Sequence, residues 1–140
     1  MKDKLASWEP YARSLMRIVL AYVFILHGFR NAFGYFAVSG GRRALIPMAL
    51  DSLPHAFGYL ELIGGALLLL GLFVRPVALI LSAQLLAAYL YSAAPRGPWP
   101  IRNGGNEVLQ YLLAFLYIAV SGAGAWSLDR MLGRHKAATG

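Results

Sequence analysis

The stretch HAFGYLELIGGALLLLGLFVRP, residues 55–76, decides the fold class of this chain. It consists mainly of leucine, glycine and aromatic residues, and Glu61 is its one carboxylate. A helix of about 20 apolar residues crosses the hydrocarbon core of a bilayer, which is about 30 Å thick. We therefore predict a membrane-spanning helix that carries one acidic side chain inside it.

Three further apolar stretches of similar length predict an all-α integral membrane protein, built as a four-helix transmembrane bundle. Hydrophobic residues make up 59% of the 140-residue chain and charged residues only 14%, whereas a soluble domain has about 25% charged residues. A very apolar soluble bundle is the alternative, but four such stretches leave little polar surface. We predict a single membrane domain over residues 1–140, with helices at about 11–36, 55–74, 76–94 and 106–126.

The formal charge of +7 indicates membrane orientation rather than a nucleic-acid partner. All lysines lie near the two termini, which an even number of helices places on one side. Since cytoplasmic segments carry the excess of basic residues, we predict cytoplasmic termini in a bacterial or archaeal inner membrane, with the lipid bilayer as partner. The absence of cysteine excludes disulfides and thiolate metal sites, and no metal is expected.

Polar side chains from all four predicted helices fall at similar depth, in the half of the bundle away from the termini. At about 1.5 Å per residue, Glu61 lies about 9 Å along its helix from His55. It shares a face with Gly58 and Gly65, and small residues on a membrane helix mark close helix contact. We therefore predict that Glu61 points into the bundle. The candidate ligand or proton pocket consists of His27, Arg30, Asn31, Glu61, Tyr91, Glu107 and Gln110.

The sequence leaves two interpretations of this pocket open. A charged side chain in hydrocarbon is costly unless it is paired or hydrated, and this set can supply the partners. The pocket is therefore either a hydrogen-bonded clasp between helices, or a site that binds a small polar or amphipathic ligand or relays protons. We assign no catalytic residue, because no serine–histidine–acid arrangement can be argued. Haem ligation by His27 and His55 is disfavoured by their different expected depths.

Other local features complete the prediction. The longest connection, residues 37–54, is expected on the membrane surface or dipping into it. Asn106 is expected to cap the last helix. Arg17 could either pair with a buried group or extend its guanidinium to the interface. The basic tail after Asp129 is expected to be mobile.

Three stretches make the chain resemble the DoxX family of small four-helix membrane proteins. The first stretch, residues 17–34, reads RIVLAYVFILHGFRNAFG. It has an arginine, then a helix that closes with His-Gly, a basic residue and Phe-Gly. The second stretch, residues 58–79, reads GYLELIGGALLLLGLFVRPVAL. It has a glutamate, a glycine pair, a glycine and an arginine before the third helix. The third stretch, residues 103–129, reads NGGNEVLQYLLAFLYIAVSGAGAWSLD. An Asn-Gly-Gly-Glu pattern precedes its helix and a Gly-x-Gly-x-x-Ser-x-Asp pattern follows it. Two departures stand out: Arg30-Asn31 where a lysine is common, and the extra Asn106 before Glu107.

The resemblance implies a membrane subunit or accessory of a quinone-linked oxidoreductase, similar to a subunit of thiosulfate:quinone oxidoreductase. Quinone is the implied cofactor, and a membrane or peripheral redox protein the implied partner. Electrons must come from elsewhere, because the chain has no cysteine and no flavin or nicotinamide fingerprint. Whether the chain is part of an enzyme stays open. The alternatives are a non-catalytic scaffold or chaperone, or a small-solute transporter, which so short a chain without repeated halves disfavours unless it forms a homo-oligomer.

Overall fold

The computed structural model describes residues 2–33 and 53–138, and within these ranges the regular structure is entirely helical. The prediction of an all-α membrane protein is confirmed. The long connection expected at 37–54 lies almost entirely outside the described residues. The helices are α1 (Lys2–Phe33), α2 (Leu53–Leu70), α3 (Val74–Ala88), α4 (Pro100–Asn103), α5 (Asn106–Ser121) and α6 (Leu128–Ala138).

The helices differ in how well their length suits a bilayer. Ala6–Phe33 in α1 is long and apolar enough to cross a membrane, and so is Val74–Arg96. The second of these spans comprises α3, a π-helical turn at Tyr89–Ala93 and a 3₁₀ turn at Ala94–Arg96. His55–Leu70 and Asn106–Ser121 are shorter apolar helices.

Helix α1 begins at Lys2, well before the predicted start at about residue 11. The prediction began at Tyr11, where the apolar stretch starts. The structure carries the helix through Pro10. The carbonyl oxygen of Pro10 accepts hydrogen bonds from Ser14 Oγ at 2.9 Å and from the Ala125 amide at 3.0 Å. This part of α1 is therefore held by a contact that is distant in sequence.

The turn between α2 and α3 is longer than the predicted break at residue 75. Gly71 adopts a left-handed conformation with φ of 74°. Its amide donates to the carbonyl of Leu68 at 3.1 Å, and the Leu72 amide donates to that of Leu67 at 2.9 Å. This pair of bonds is the Schellman motif, in which glycine ends a helix and satisfies its last carbonyls. Helix α2 therefore ends at Leu70 rather than at 74.

Helix α5 ends at Ser121, before the predicted end at 126, because two glycines turn the chain there. Gly122 and Gly124 have φ of 87° and 80°, a region that glycine enters without steric cost. The tail after Asp129 forms helix α6 as far as Ala138, and its mobility stays a prediction. Ser127 caps this helix, since the Arg130 amide donates to Ser127 Oγ at 3.3 Å.

Helix α1 packs most extensively on α2, and α3 on α5, while α2 and α3 join the two pairs. Between the pairs lies an apolar core in which Phe24 and Phe115 meet edge to face at 4.8 Å. Small residues bring α1 and α2 together, as predicted. A β-carbon added to Gly58 would lie 2.5 Å from the Ala32 backbone nitrogen, and one added to Gly65 would lie 2.7 Å from Ile25 Cγ1.

Large apolar side chains cover the outside of the bundle. Val120 is 80% exposed, and Leu113 and Ile63 are exposed to a similar degree. Extensive apolar surface of this kind marks contact with lipid or another protein rather than water. The outer surface thus agrees with a chain that resides in a membrane.

Candidate functional site

Glu61 is buried at the meeting point of three helices. Only 4% of its surface is exposed. Asn31 on α1 donates from Nδ2 to Glu61 Oε2 at 2.9 Å, and Gln84 on α3 donates from Nε2 to Glu61 Oε1 at 2.8 Å. We call these three residues the Glu61 triad. Gln84 lies outside the candidate pocket set predicted from the sequence.

Glycines on two faces of α2 allow the triad to form. On the face towards α1, Gly58 lies beside the backbone of Asn31 and Ala32, closer than any larger residue would permit. On the face towards α3, a β-carbon added to Gly64 would lie 2.9 Å from Leu81 Cδ2. Both neighbouring helices can therefore approach α2 closely enough for amide side chains to reach its carboxylate.

The triad leaves one buried polar atom unused. Gln84 is 5% exposed, and its Oε1 atom has no hydrogen-bond partner among the described residues. An ionised carboxylate accepts hydrogen bonds only, whereas a protonated one also donates. If the Gln84 amide rotates by half a turn, its oxygen faces Glu61 and can accept a hydrogen bond from a protonated carboxyl. The site can therefore accommodate both protonation states.

Three of the other predicted residues lie at the edge of this site. Arg30 is exposed and interacts electrostatically with both Glu61 and His27. His27 is half-buried, stacks on Phe24 with ring centroids 6.1 Å apart, and is also influenced by the charge of Glu107. His27, Arg30 and Glu107 thus form a charged rim beside the triad. The described contacts include no hydrogen bond from this rim to Glu61.

Tyr91 and Gln110 are exposed, and the structure does not bring them to Glu61. Ordinary helical spacing from Gln84 would place Tyr91 on the same face. The π-helical turn at Tyr89–Ala93 contains a wider loop of backbone and shifts the phase of the helix. Tyr91 becomes 74% exposed as a result.

Tyr89 takes the inward position and packs against the turn before α5. Its hydroxyl lies 3.5 Å from Asn103 Nδ2, and its ring leaves no room for a side chain at Gly105. Asn103 is buried, accepts from the Gly105 amide at 2.8 Å and donates to the Gly97 carbonyl at 2.8 Å. The predicted capping role of Asn106 is wrong, because Gly105 occupies the capping position and makes no side-chain cap.

A second polar cluster lies at the other end of the bundle, where the middle of α1 meets the end of α2, the start of α3 and the end of α5. We call this the terminal end. Arg17 is fully buried there. Its guanidinium donates to the carbonyls of Leu68 and Leu69 at the end of α2, and of Ala123 and Trp126 after α5. Carbonyls at a helix end lack partners within the helix and favour a positive charge.

The Gly-x-Gly-x-x-Ser-x-Asp motif completes the terminal end. Asp129 accepts from the amides of Phe73 at 2.9 Å and Val74 at 3.0 Å, so it caps α3. Gly124 lies directly against Ser14, whose Oγ accepts from the Trp126 amide at 3.0 Å. These residues have a structural role that the sequence analysis did not assign. The signal for it was the combination of Arg17 with this motif.

The sequence model of the DoxX family matches residues 12–93, more than half of the chain. A protein of Haemophilus influenzae, named as an uncharacterized protein, is 42% identical over 91% of this chain and 95% of its own length. An uncharacterized membrane protein of Mycobacterium tuberculosis is 28% identical over 89% of this chain and 83% of its own. No solved structure gives a significant match.

Proposed function

This chain is a member of the DoxX family, and we propose that it is a four-pass component of the cytoplasmic membrane that works with a quinone-linked redox system. The quinone link rests on the family resemblance, and the four passes rest on four apolar helices in one bundle. In this proposal the Glu61 triad holds and releases a proton. The chain supplies no electrons, so a partner protein must do so.

The observation that carries this proposal is a carboxyl group buried with neutral partners. Asn31 and Gln84 hydrogen-bond to Glu61 but do not neutralise its charge. An ionised group inside a membrane helix is costly, and a neutral glutamine would tie the helices together at lower cost. A group that can gain and lose a proton at this position explains why a carboxyl is present.

The rim residues have the chemistry that a quinone headgroup requires. A bound quinone would supply two-electron, two-proton redox chemistry. Arg30 and His27 carry N–H donors suited to its carbonyl oxygens, and Arg30 interacts electrostatically with both Glu61 and His27. Arg30 is exposed on the outside of the bundle, where a ligand dissolved in lipid can reach it.

Binding of a quinone analogue, measured together with proton uptake, tests the proposal. The purified full-length protein in nanodiscs is mixed with the analogue in weak buffer that contains a pH indicator. We expect the wild type to bind it with a change in bound protons. Glu61→Gln removes that change and leaves the melting temperature near that of the wild type. Glu9→Gln, at an exposed carboxylate that pairs with Arg13 at 3.1 Å, is the matched control.

A non-catalytic scaffold is the alternative that the same triad favours, because Glu61 connects three helices. In that case Glu61→Gln lowers the melting temperature and the wild type binds no quinone analogue. Native mass spectrometry of the protein, gently extracted from its own membrane, gives a second reading. A bare protein in two mild detergents would count against the quinone-linked role.

The membrane arrangement has its own test, because the natural chain has no cysteine. Ile101→Cys in α4 and Met131→Cys in α6 introduce single thiols at positions that are 84% and 67% exposed. With four passes and cytoplasmic termini, an impermeant maleimide labels the first variant in intact cells. It labels the second only after the membrane is opened. Labelling of both from the same side would overturn the four-pass arrangement.

A further inference from the structure

We propose that the terminal end contains a binding site for the phosphate of an anionic lipid headgroup, formed by Arg75 and Arg130. This inference is independent of the quinone-linked role, because the site lies at the opposite end of α3 from the π-helical turn. It assigns a ligand to a part of the molecule that the Glu61 triad does not use.

An open cavity of about 510 Å³ lies between the first turn of α3, the turn after α5 and the start of α6. Arg75 and Arg130 both line it, as do Phe73 and Gly122. A β-carbon added to Gly122 would lie 3.4 Å from Arg75 Nε, so the guanidinium packs along the backbone of this turn. The turn thereby fixes where the guanidinium of Arg75 lies in the cavity.

The two arginines carry more positive charge than the one carboxylate of the cavity, Asp129, can offset. Asp129 lines the same cavity, but both of its oxygens accept from backbone amides of the α2–α3 turn. Glu9 pairs with Arg13, and Glu61 belongs to the triad. Neither arginine has an ion pair with any described carboxylate. An anion from outside the chain is therefore the electrostatic complement of this cavity.

A lipid headgroup is the anion that the surroundings favour. The guanidinium fork binds phosphate oxygens in pairs. Phe73, at the cavity, is 65% exposed. Trp126 is 56% exposed and stacks edge to face on Tyr11 at 5.6 Å, an arrangement suited to the headgroup region. Exposed Leu79 and Ile80, farther along α3, offer an apolar path for acyl chains.

Lipid titration monitored by native mass spectrometry tests the site. The full-length protein in a neutral detergent is titrated with phosphatidylglycerol, and separately with phosphatidylcholine of the same acyl chains. We expect tighter binding of phosphatidylglycerol. Arg75→Gln with Arg130→Gln should weaken it at least about tenfold, because each guanidinium contributes charge-assisted hydrogen bonds. Arg96→Gln with Arg102→Gln, beyond the other end of α3, removes the same charge and should change the affinity by less than about twofold.

Further measurements distinguish the ways in which this proposal could be wrong. Both arginines of the site are exposed, so the melting temperature should stay unchanged, and replacement of both by lysine should give intermediate affinity. Equal phosphatidylglycerol affinity in all variants would overturn the proposal. An equal loss in the Arg96 and Arg102 control would show diffuse attraction and overturn it too. Full displacement of the lipid by inorganic phosphate would assign the anion to a soluble source and overturn the headgroup assignment.

Discussion

Replacement of Arg17 by glutamine gives the strongest test of how this bundle is held together. The guanidinium is fully buried and donates to four backbone carbonyls on two separate segments. Glutamine is shorter, uncharged and has one donor nitrogen, so it cannot reach all four carbonyls. The substitution therefore removes the side-chain donor from carbonyl oxygens at the end of α2 and in the turn after α5, and of these Leu68 still accepts from the Gly71 amide.

The expected loss of stability can be bounded from both sides. Hydrogen bonds between membrane helices average about 0.6 kcal/mol, so four of them give about 2 kcal/mol as a lower limit. Each buried acceptor left without a partner costs about 1–3 kcal/mol, and single substitutions that cost more than about 5 kcal/mol are exceptional, which sets the upper limit. We expect Arg17→Gln to destabilise the protein by about 2–5 kcal/mol. At roughly 3 °C for each kcal/mol, the melting temperature falls by about 6–15 °C.

The assay is thermal unfolding of the detergent-solubilised protein, followed by size-exclusion chromatography of the fraction that stays folded. Arg102→Gln, at an exposed arginine of α4, is the matched control and should shift the midpoint by no more than about 1–2 °C. Arg17→Lys keeps the charge as a single point donor and should lie between the wild type and Arg17→Gln. If Arg17→Gln melts together with the control, the four hydrogen bonds do not hold the terminal end and the reasoning fails.

Three further substitutions test other parts of the fold by the same melting assay. Gly58→Ala forces α1 away from α2 and should lower the free energy of unfolding by about 1–3 kcal/mol. Its control is Gly133→Ala, which has no atom near the added β-carbon and should be neutral or slightly stabilising. Asp129→Asn weakens the cap of α3 and should cost about 1 kcal/mol; an unchanged midpoint would contradict the capping role. Ser127→Ala should cost about 1 kcal/mol and speed amide exchange at the start of α6, with no effect at α2.

The position of Glu61 inside the bundle followed from its own helix. Gly58 and Gly65 share its face at helical spacing, and close contact of that face with α1 is what the structure shows. Asn31 could be named as a neighbour because its depth matched. Gln84 was not among the residues of the predicted pocket. Its contact with Glu61 depends on the axial position of α3 relative to α2, which the residue spacing within one helix does not determine.

The predicted place of Tyr91 shows where helical periodicity fails. Tyr91 entered the candidate pocket by its expected depth. An unbroken α-helix would also place it on the same face as Gln84, but the π-helical turn shifts it away from that face. Such a turn depends on tertiary packing, here of Tyr89 against Gly105 in a distant turn. The exposed positions of Glu107 and Gln110 likewise depend on how α5 is rotated against α3, which depth along a helix does not determine.

The sequence by itself determined that this is an all-α membrane protein, since apolar length and periodicity act within one helix, and three of its stretches carry the resemblance to the DoxX family. It also placed a carboxylate among apolar residues and an arginine near the start of the first helix. Only the tertiary structure decided what those two side chains bind. Arg17 satisfies carbonyls of residues far away in the chain, and Glu61 meets amides from two other helices. The physical reason is that a buried polar group takes its partners from whichever segments packing brings within hydrogen-bonding distance.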